Sequence, residues 1–247
     1  MDWPSFVQQC HNALLSDHPT SKQALHYLLN ERGLSEQSIV DHMIGYCGGS
    51  QATPSDNNGR QIWALRGRLV IPIYEEFGDL IAVSARSSNS LEKGWWNTSF
   101  PKNKHLFLFN RSRHSTFDNN KVYIFEGYMD GIVLYHEGLT NVCSLMGVAL
   151  GYRRIGLLKR YCTRVCLVFD QDANRAGQMA HDRSIYELSH FRFDGISKIT
   201  LPIGVDPDEF VLQHGLEEFL GLEKTISIGE LKETERRYLC RREDNDE

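Results

Sequence analysis

Short apolar runs in the middle of the chain end abruptly in acids. Val122-Tyr123-Ile124-Phe125 gives way to Glu126-Gly127-Tyr128-Met129-Asp130, and Val165-Cys166-Leu167-Val168-Phe169 gives way to Asp170-Gln171-Asp172. Such runs bounded by polar residues read as strands buried on both faces. Around them the periodicity alternates. It predicts helix over 129–136, stopped by Gly138, strand over 141–145, helix over 155–161 and strand over 164–169. Helix over 176–188, strand over 196–201 and further helix from Asp206 follow. Strands alternating with helices at this spacing predict a parallel sheet with helices on both faces.

Upstream the pattern differs. Phe6, Cys10, Ala13 and Leu14 recur at helical spacing, and so do Ala24, Leu25, Tyr27, Leu28 and Leu29. Gly33 reads as a stop, and Ser35 opens a third helix with a capping-type start. Residues 48–59, rich in Gly, Ser, Asn and Pro, predict an exposed loop. The runs 68–74 and 80–86 flank a turn containing Gly78 and predict a hairpin. Pro72 has no N–H to donate, so its strand should be an edge or carry an irregularity there. Residues 106–109 predict another short strand, and the tail from Glu233 a solvated helix that frays. The expected division is an N-terminal α/β part over 1–116, a parallel-sheet part over 117–222 and a helical tail over 223–247.

Composition changes this picture little. Of 247 residues, 41% are hydrophobic and 24% charged, which is ordinary for a globular protein. The net charge of −5, from 32 acidic and 27 basic residues, argues against a polybasic nucleic-acid glue. The six cysteines form no Cys-x-x-Cys pair, so no zinc site is expected within the chain. Neither a signal peptide nor an apolar stretch long enough for a bilayer is visible, so a reduced cytoplasm is the expected setting, without a membrane.

The acids carry the chemistry. Ligands bind at the carboxyl edge of an open α/β sheet, and two acid clusters at equivalent strand ends suggest one cation site there. Magnesium takes oxygen ligands and keeps several waters, so one or two carboxylates per ion suffice. In an extended Asp170-Gln171-Asp172, alternate side chains share a face. The competing explanation is helix capping, since Asp172 precedes a helix and Asp206 precedes Pro207 in an N-cap arrangement.

The string Glu126-Gly127-Tyr128-Met129-Asp130, followed by residues 138–141 and 145–150, resembles the catalytic Toprim domain of bacterial DnaG-type DNA primases. Asp170-Gln171-Asp172 resembles that family's Asp-x-Asp motif, and residues 201–208 its third acidic motif. The likeness spans about residues 25–222. It implies a Toprim-type parallel-sheet subdomain preceded by a smaller mixed α/β subdomain. Glu126, Asp130, Asp170, Asp172, Asp206 and Asp208 would bind Mg²⁺ or Mn²⁺, with Glu126, Asp170 and Asp172 catalytic. Arg68, Arg86, Lys93 and Lys102 would engage nucleoside triphosphates or single-stranded DNA template. In this chain Ala173-Asn174-Arg175 intervenes before the Ala-Gly pair that the family reaches almost at once.

Against that resemblance, neither the family's usual zinc-binding module nor its helicase-binding domain is expected within these 247 residues. Either a separate zinc-binding subunit supplies the first, or initiation is relaxed, or the chain is a fragment, and a replicative helicase is the other expected partner. So compact a core suggests a phage or mobile element in a bacterial host. The implied activity is primer synthesis, an RNA polymerase reaction. A metal-dependent nuclease and a non-catalytic replisome adaptor are the alternatives.

Overall fold

The computed structural model describes residues 2–48, 63–87, 94–147, 149–169 and 175–243. The chain divides into two compact units, Met1–Phe100 and Pro101–Glu247. That break falls earlier in the sequence than the pattern suggested.

In the first unit, α1 (Trp3–Leu14) starts where the Asp2 side chain accepts the Ser5 N–H, with proline in the first turn. It buries Phe6, Val7, Cys10 and Leu14. α2 (Pro19–His26) runs on into a π-helical turn, Tyr27–Glu31. α3 (Glu36–Asp41) carries the expected cap, Ser35 Oγ accepting the Ser38 N–H at 3.0 Å. An antiparallel sheet follows in the order β1 (Gly45–Tyr46), β2 (Arg68–Tyr74), β3 (Leu80–Ser87), β4 (Trp95–Asn97). β2 and β3 form the predicted hairpin. β1 pairs only with Leu69 and Val70, so at Pro72 the strand has a neighbour on one side alone, and the register shifts at Ile73/Tyr74. The proline therefore sits where a missing donor is tolerated. Most of the loop expected over 48–59 lies outside the described residues.

Gly45 fixes how α1 meets this sheet. Its backbone lies so near the helix that a Cβ there would stand 2.5 Å from the Cys10 carbonyl carbon and 2.7 Å from the His11 nitrogen. Only a residue without a side chain allows that approach.

The second unit opens with a correction. Residues 106–109 are not a strand: Phe107 makes an isolated two-bond bridge with Ser144, and Leu108 at φ +67° turns the chain into α4 (Phe109–Asn119). The polar sequence of α4 had masked it. Then come β5 (Lys121–Phe125), α5 (Tyr128–His136), β6 (Val142–Ser144), α6 (Gly151–Leu158) and β7 (Arg164–Val168). α7 (Arg175–His190), β8 (Gly195–Ile199), α8 (Pro207–His214), α9 (Leu216–Gly221) and β9 (Lys224–Thr225) follow. The sheet order is β6-β5-β7-β8-β9, parallel except for β9.

Alternate strand residues serve opposite faces. Val122, Ile124, Val165, Leu167 and Ile196 join one core with side chains from α4, α6 and α7. On the other side Phe125 stacks on Phe219 of α9, ring centroids 6.4 Å apart. Helices thus cover both faces, as the continuous apolar runs require.

The tail is the expected largely exposed helix, but α10 (Ile228–Glu243) also packs one side on α7. Arg237 and Arg241 both donate to the Asp182 carboxylate, at 3.0 and 3.1 Å. A second tether holds β9: Glu223 accepts from Lys121, Tyr123 and Ser197. Burial works to raise the Glu223 pKa, but the bonds from Lys121 and Ser197 outweigh it and leave it below the ordinary glutamate value.

Gly45→Ala should destabilise the protein by about 2–3 kcal/mol in a urea melt, since backbone rather than a flexible side chain blocks the new methyl; an unchanged midpoint would contradict the close approach. For Glu223 the folded pKa lies below the unfolded one, so its stabilisation is present above the unfolded value and is lost as pH falls through the folded one. Wild type should therefore exceed Glu223→Gln in stability at pH 7, with the gap closing in strong acid; a gap independent of pH would remove the ionic contribution.

Candidate functional site

β5, β7 and β8 pair residue for residue and end level, Phe125 beside Val168 and Val168 beside Ile199. Glu126 follows β5 directly, half-buried at the carboxyl edge of the sheet. β7 lies between β5 and β8 and leads through Phe169 to Asp170. Asp170 and Asp172 themselves lie outside the described residues. Phe169 is buried at 4% exposure, its ring 4.2 Å from that of His181. Burial first, with Lys198 adding to it, pushes His181 down to a pKa of about 4, so it is neutral at pH 7. His181 packs against the Phe169 ring.

Two further acids occupy first turns of helices at the same edge. Asp130 is the third residue of α5 and is 7% exposed. Asp208 is the second residue of α8 and is 1% exposed, and it accepts the Glu209 N–H at 3.0 Å. α5 and α8 pack together. Asp206 occupies the N-cap of α8, as the sequence suggests, yet its side chain makes no capping hydrogen bond. The capping explanation accounts for its position and not for its carboxylate.

Gly127 explains part of the acidic string. Its φ and ψ of −91° and 162° are open to any residue, so backbone freedom is not the reason for a glycine. A Cβ there would stand 2.4 Å from Asp130 Oδ2. The missing side chain makes room for the carboxylate.

The loop after β6 closes over this edge. The Leu145 N–H donates to the Phe125 carbonyl at 2.8 Å and the Gly147 N–H to the Glu126 carbonyl at 3.3 Å. Met146 and Gly147 take positive φ, +59° and +73°, to make the turn. Beneath it lies Arg154 of α6, fully buried, whose guanidinium donates to the carbonyls of Lys102, His105, Leu145 and Ala149 at 2.5–3.1 Å. Burial lowers its pKa to about 10, so it stays charged at neutral pH. Sequence reading missed it; the only signal was one arginine on the apolar face of a helix.

The described basic candidates fall in both units. Arg68 opens β2 and Arg86 lies in β3, with its guanidinium 5.5 Å from the Trp95 ring centroid; both belong to the first unit. Trp96 packs against the core of that unit. Lys93 lies outside the described residues. Lys102 is in the second unit, and burial and the neighbouring Arg154 charge lower its pKa.

Among the described residues no three His, Cys, Asp or Glu side chains group as metal ligands. Glu126 and Asp130 follow the carboxyl end of β5, and Asp206 and Asp208 open α8, which packs on α5; carboxylate oxygens are the donor type that a hard divalent cation takes. No helix among the described residues is long and apolar enough to cross a membrane.

Comparison with known proteins agrees with this architecture. A Toprim-like family profile matches residues 123–211. The DNA primase of Synechococcus elongatus is 28% identical over 231 residues, covering 81% of this chain and 33% of its own. That of Clostridium acetobutylicum is 34% identical over 168 residues, covering 66% and 28%. The chain thus spans about a third of the length of these relatives. A DNA primase domain from Pseudomonas aeruginosa superposes with a TM-score of 0.77 at 23% identity, over 90% of this chain and 78% of that one. A DnaG primase catalytic domain bound to single-stranded DNA gives 0.74 at 23% identity, over 88% and 77%. Sequence and fold together are similar to those of the catalytic cores of bacterial DnaG-type primases, with a Toprim-like domain over residues 123–211.

Proposed function

We propose that the chain is a primase catalytic core that synthesises short RNA primers on single-stranded DNA by metal-dependent nucleotidyl transfer. The observation that carries this is the level ending of β5, β7 and β8, which starts Glu126, the Asp170-Gln171-Asp172 string and the approach to Asp206 and Asp208 from one edge. Names and folds of the relatives support it, and one neighbour holds single-stranded DNA.

Glu126, Asp130, Asp170, Asp172, Asp206 and Asp208 would hold Mg²⁺ or Mn²⁺. When bound, the ions neutralise triphosphate charge and orient the in-line displacement. Glu126 takes the proton of the attacking 3′-hydroxyl; the oxygen bonds to the α-phosphorus, and pyrophosphate leaves. Arg68, Arg86, Lys93 and Lys102 offset the charge of triphosphate or template. Lys102 is the one held by the Arg154 clasp. Nucleoside triphosphates and single-stranded DNA are the partners this function requires, with a replicative helicase or a separate zinc-binding subunit as further candidates. In an Aquifex aeolicus primase structure, zinc-binding and RNA polymerase domains occur together. A bacterial cytoplasm, with a phage as a candidate source, is the setting.

Incubation with single-stranded DNA, labelled nucleotides and Mg²⁺ or Mn²⁺ should yield short RNA. Shortened DNA instead would favour the nuclease, and no product an adaptor. Glu126→Gln and Asp170→Ala should each lower synthesis by on the order of 100-fold or more while leaving the melting temperature within a few degrees; undiminished yield would reject the metal role. Gly127→Ala should displace the Asp130 carboxylate and lower synthesis roughly 10- to 100-fold in a protein that still melts cooperatively. Full activity in that variant would show that Asp130 needs no such room.

A further inference from the structure

The outer face of α6 is basic in an acidic chain. Residues 151–164 contain Arg153, Arg154, Lys159, Arg160 and Arg164 and no acid. Arg154 is spent inside, on carbonyls. Tyr152, Arg153 and Gly156 lie on the opposite, solvent side of α6, Arg160 follows in the turn after its C-terminus, and all four are exposed. Lys159 continues the row. Its ammonium donates to the Arg192 carbonyl at 2.5 Å and sits 4.6 Å from the Phe193 ring centroid, which fixes it at the edge of the face. Glu187 of α7, which meets the start of α6, is buried and engaged by the Gly151 N–H and Arg183. Asp194 is exposed, and its N–H donates to the Thr163 carbonyl at 2.8 Å.

Two details suggest what covers this face. Tyr152 is 57% exposed, and its ring stacks on Phe191 with centroids 5.7 Å apart and planes 24° from parallel. One side of the ring is thus braced and the other faces solvent. Gly156 lies mid-helix, where glycine is unfavourable by roughly 1 kcal/mol relative to alanine. Packing within the molecule does not ask for it, because a Cβ there would meet nothing within 4 Å. A smooth spot between Arg153 and Arg160, beside an open aromatic ring, suits close passage of a sugar-phosphate backbone with an unpaired base on the tyrosine.

We infer that the Tyr152-Arg153-Gly156-Arg160 face of α6 is a second single-stranded DNA contact, apart from the acidic edge. An acidic protein surface is the competing occupant, and unchanged oligo(dT) affinity in the α6 variants would favour it. Duplex DNA would offer the ring no unpaired base. The inference takes from the proposed function only the class of ligand, and its test needs no synthesis.

The whole chain is titrated into fluorescently labelled oligo(dT) at several salt concentrations, with anisotropy as readout. Arg153→Glu with Arg160→Glu should weaken binding at least about tenfold, and flatten the slope of log Kd against log salt by about 0.7 for each lost phosphate contact. Lys232→Glu with Arg236→Glu on α10 makes the same change in net charge and should have much less effect. Tyr152→Ala should weaken binding several-fold with an unchanged salt slope. Gly156→Leu should raise the melting temperature and yet weaken binding, a combination that a structural glycine would not give. Equal losses from the α6 and α10 pairs, or unchanged affinity in the α6 variants, would overturn the inference whether or not the protein makes primers. Tighter binding to duplex than to oligo(dT), abolished by the same substitutions, would overturn the assignment to single strands.

Discussion

Everything at the acidic edge depends on the register of three short parallel strands. β5, β7 and β8 are each five residues long and pair without offset, so the chain leaves all three at one level. That register is strongly specified, because both faces are buried: a slip of one residue would exchange Val122 and Ile124 for Tyr123 and Phe125 beneath α4 and α7. Hydrophobic packing across the whole second unit therefore fixes where Glu126 begins and where β7 hands over to the Asp170 segment. Packing does the positioning, and the acids inherit it.

A second constraint acts from below. The Arg154 guanidinium has given up water for four backbone carbonyls from two separate loops. A buried cation is tolerated when its donors are satisfied, and its removal would leave those carbonyls unpaired. The residue thus joins the turn bearing Lys102 to the loop that covers Glu126. It also explains why α6 can present only basic and neutral groups outward without losing its seat: the inward arginine and the apolar residues Ile155, Leu157 and Leu158 anchor the helix independently.

How much of this was legible differs by residue. The runs at 122–125 and 165–169 were readable because strands buried on both faces are continuously apolar, and Ser35 because a cap is a local device. Pro72 was readable only as a constraint, which the shortness of β1 satisfies. Residues 106–109 misled because four apolar side chains say nothing about backbone direction; a left-handed Leu108, held by the Phe107–Ser144 bridge, decides it. β9 and the inward face of α10 were hidden because their partners, Lys121, Ser197 and Asp182, are distant in sequence. Glu126 and Asp130 were visible as acids, but the reason for Gly127 appears only with the Asp130 carboxylate in place.

The acidic edge also has to exist before any cation arrives. Buried carboxylates such as Asp130 and Asp208 are strongly disfavoured unless their charge is met. Both stand in the first turn of a helix, where backbone N–H groups lack intrahelical partners and the helix dipole is positive. The Glu209 N–H on Asp208 is one such donor. Backbone donors of this kind cannot be titrated away or swing aside, and a carboxylate has more acceptor sites than one amide uses. Placing acids on helix N-termini therefore lets the fold tolerate concentrated negative charge, and under the proposed function the oxygens left over would be the donors for a divalent ion. At Asp130 and Asp208 a helix N-terminal position and the proposed metal binding are compatible, whereas Asp206 holds the N-cap position without making the capping bond.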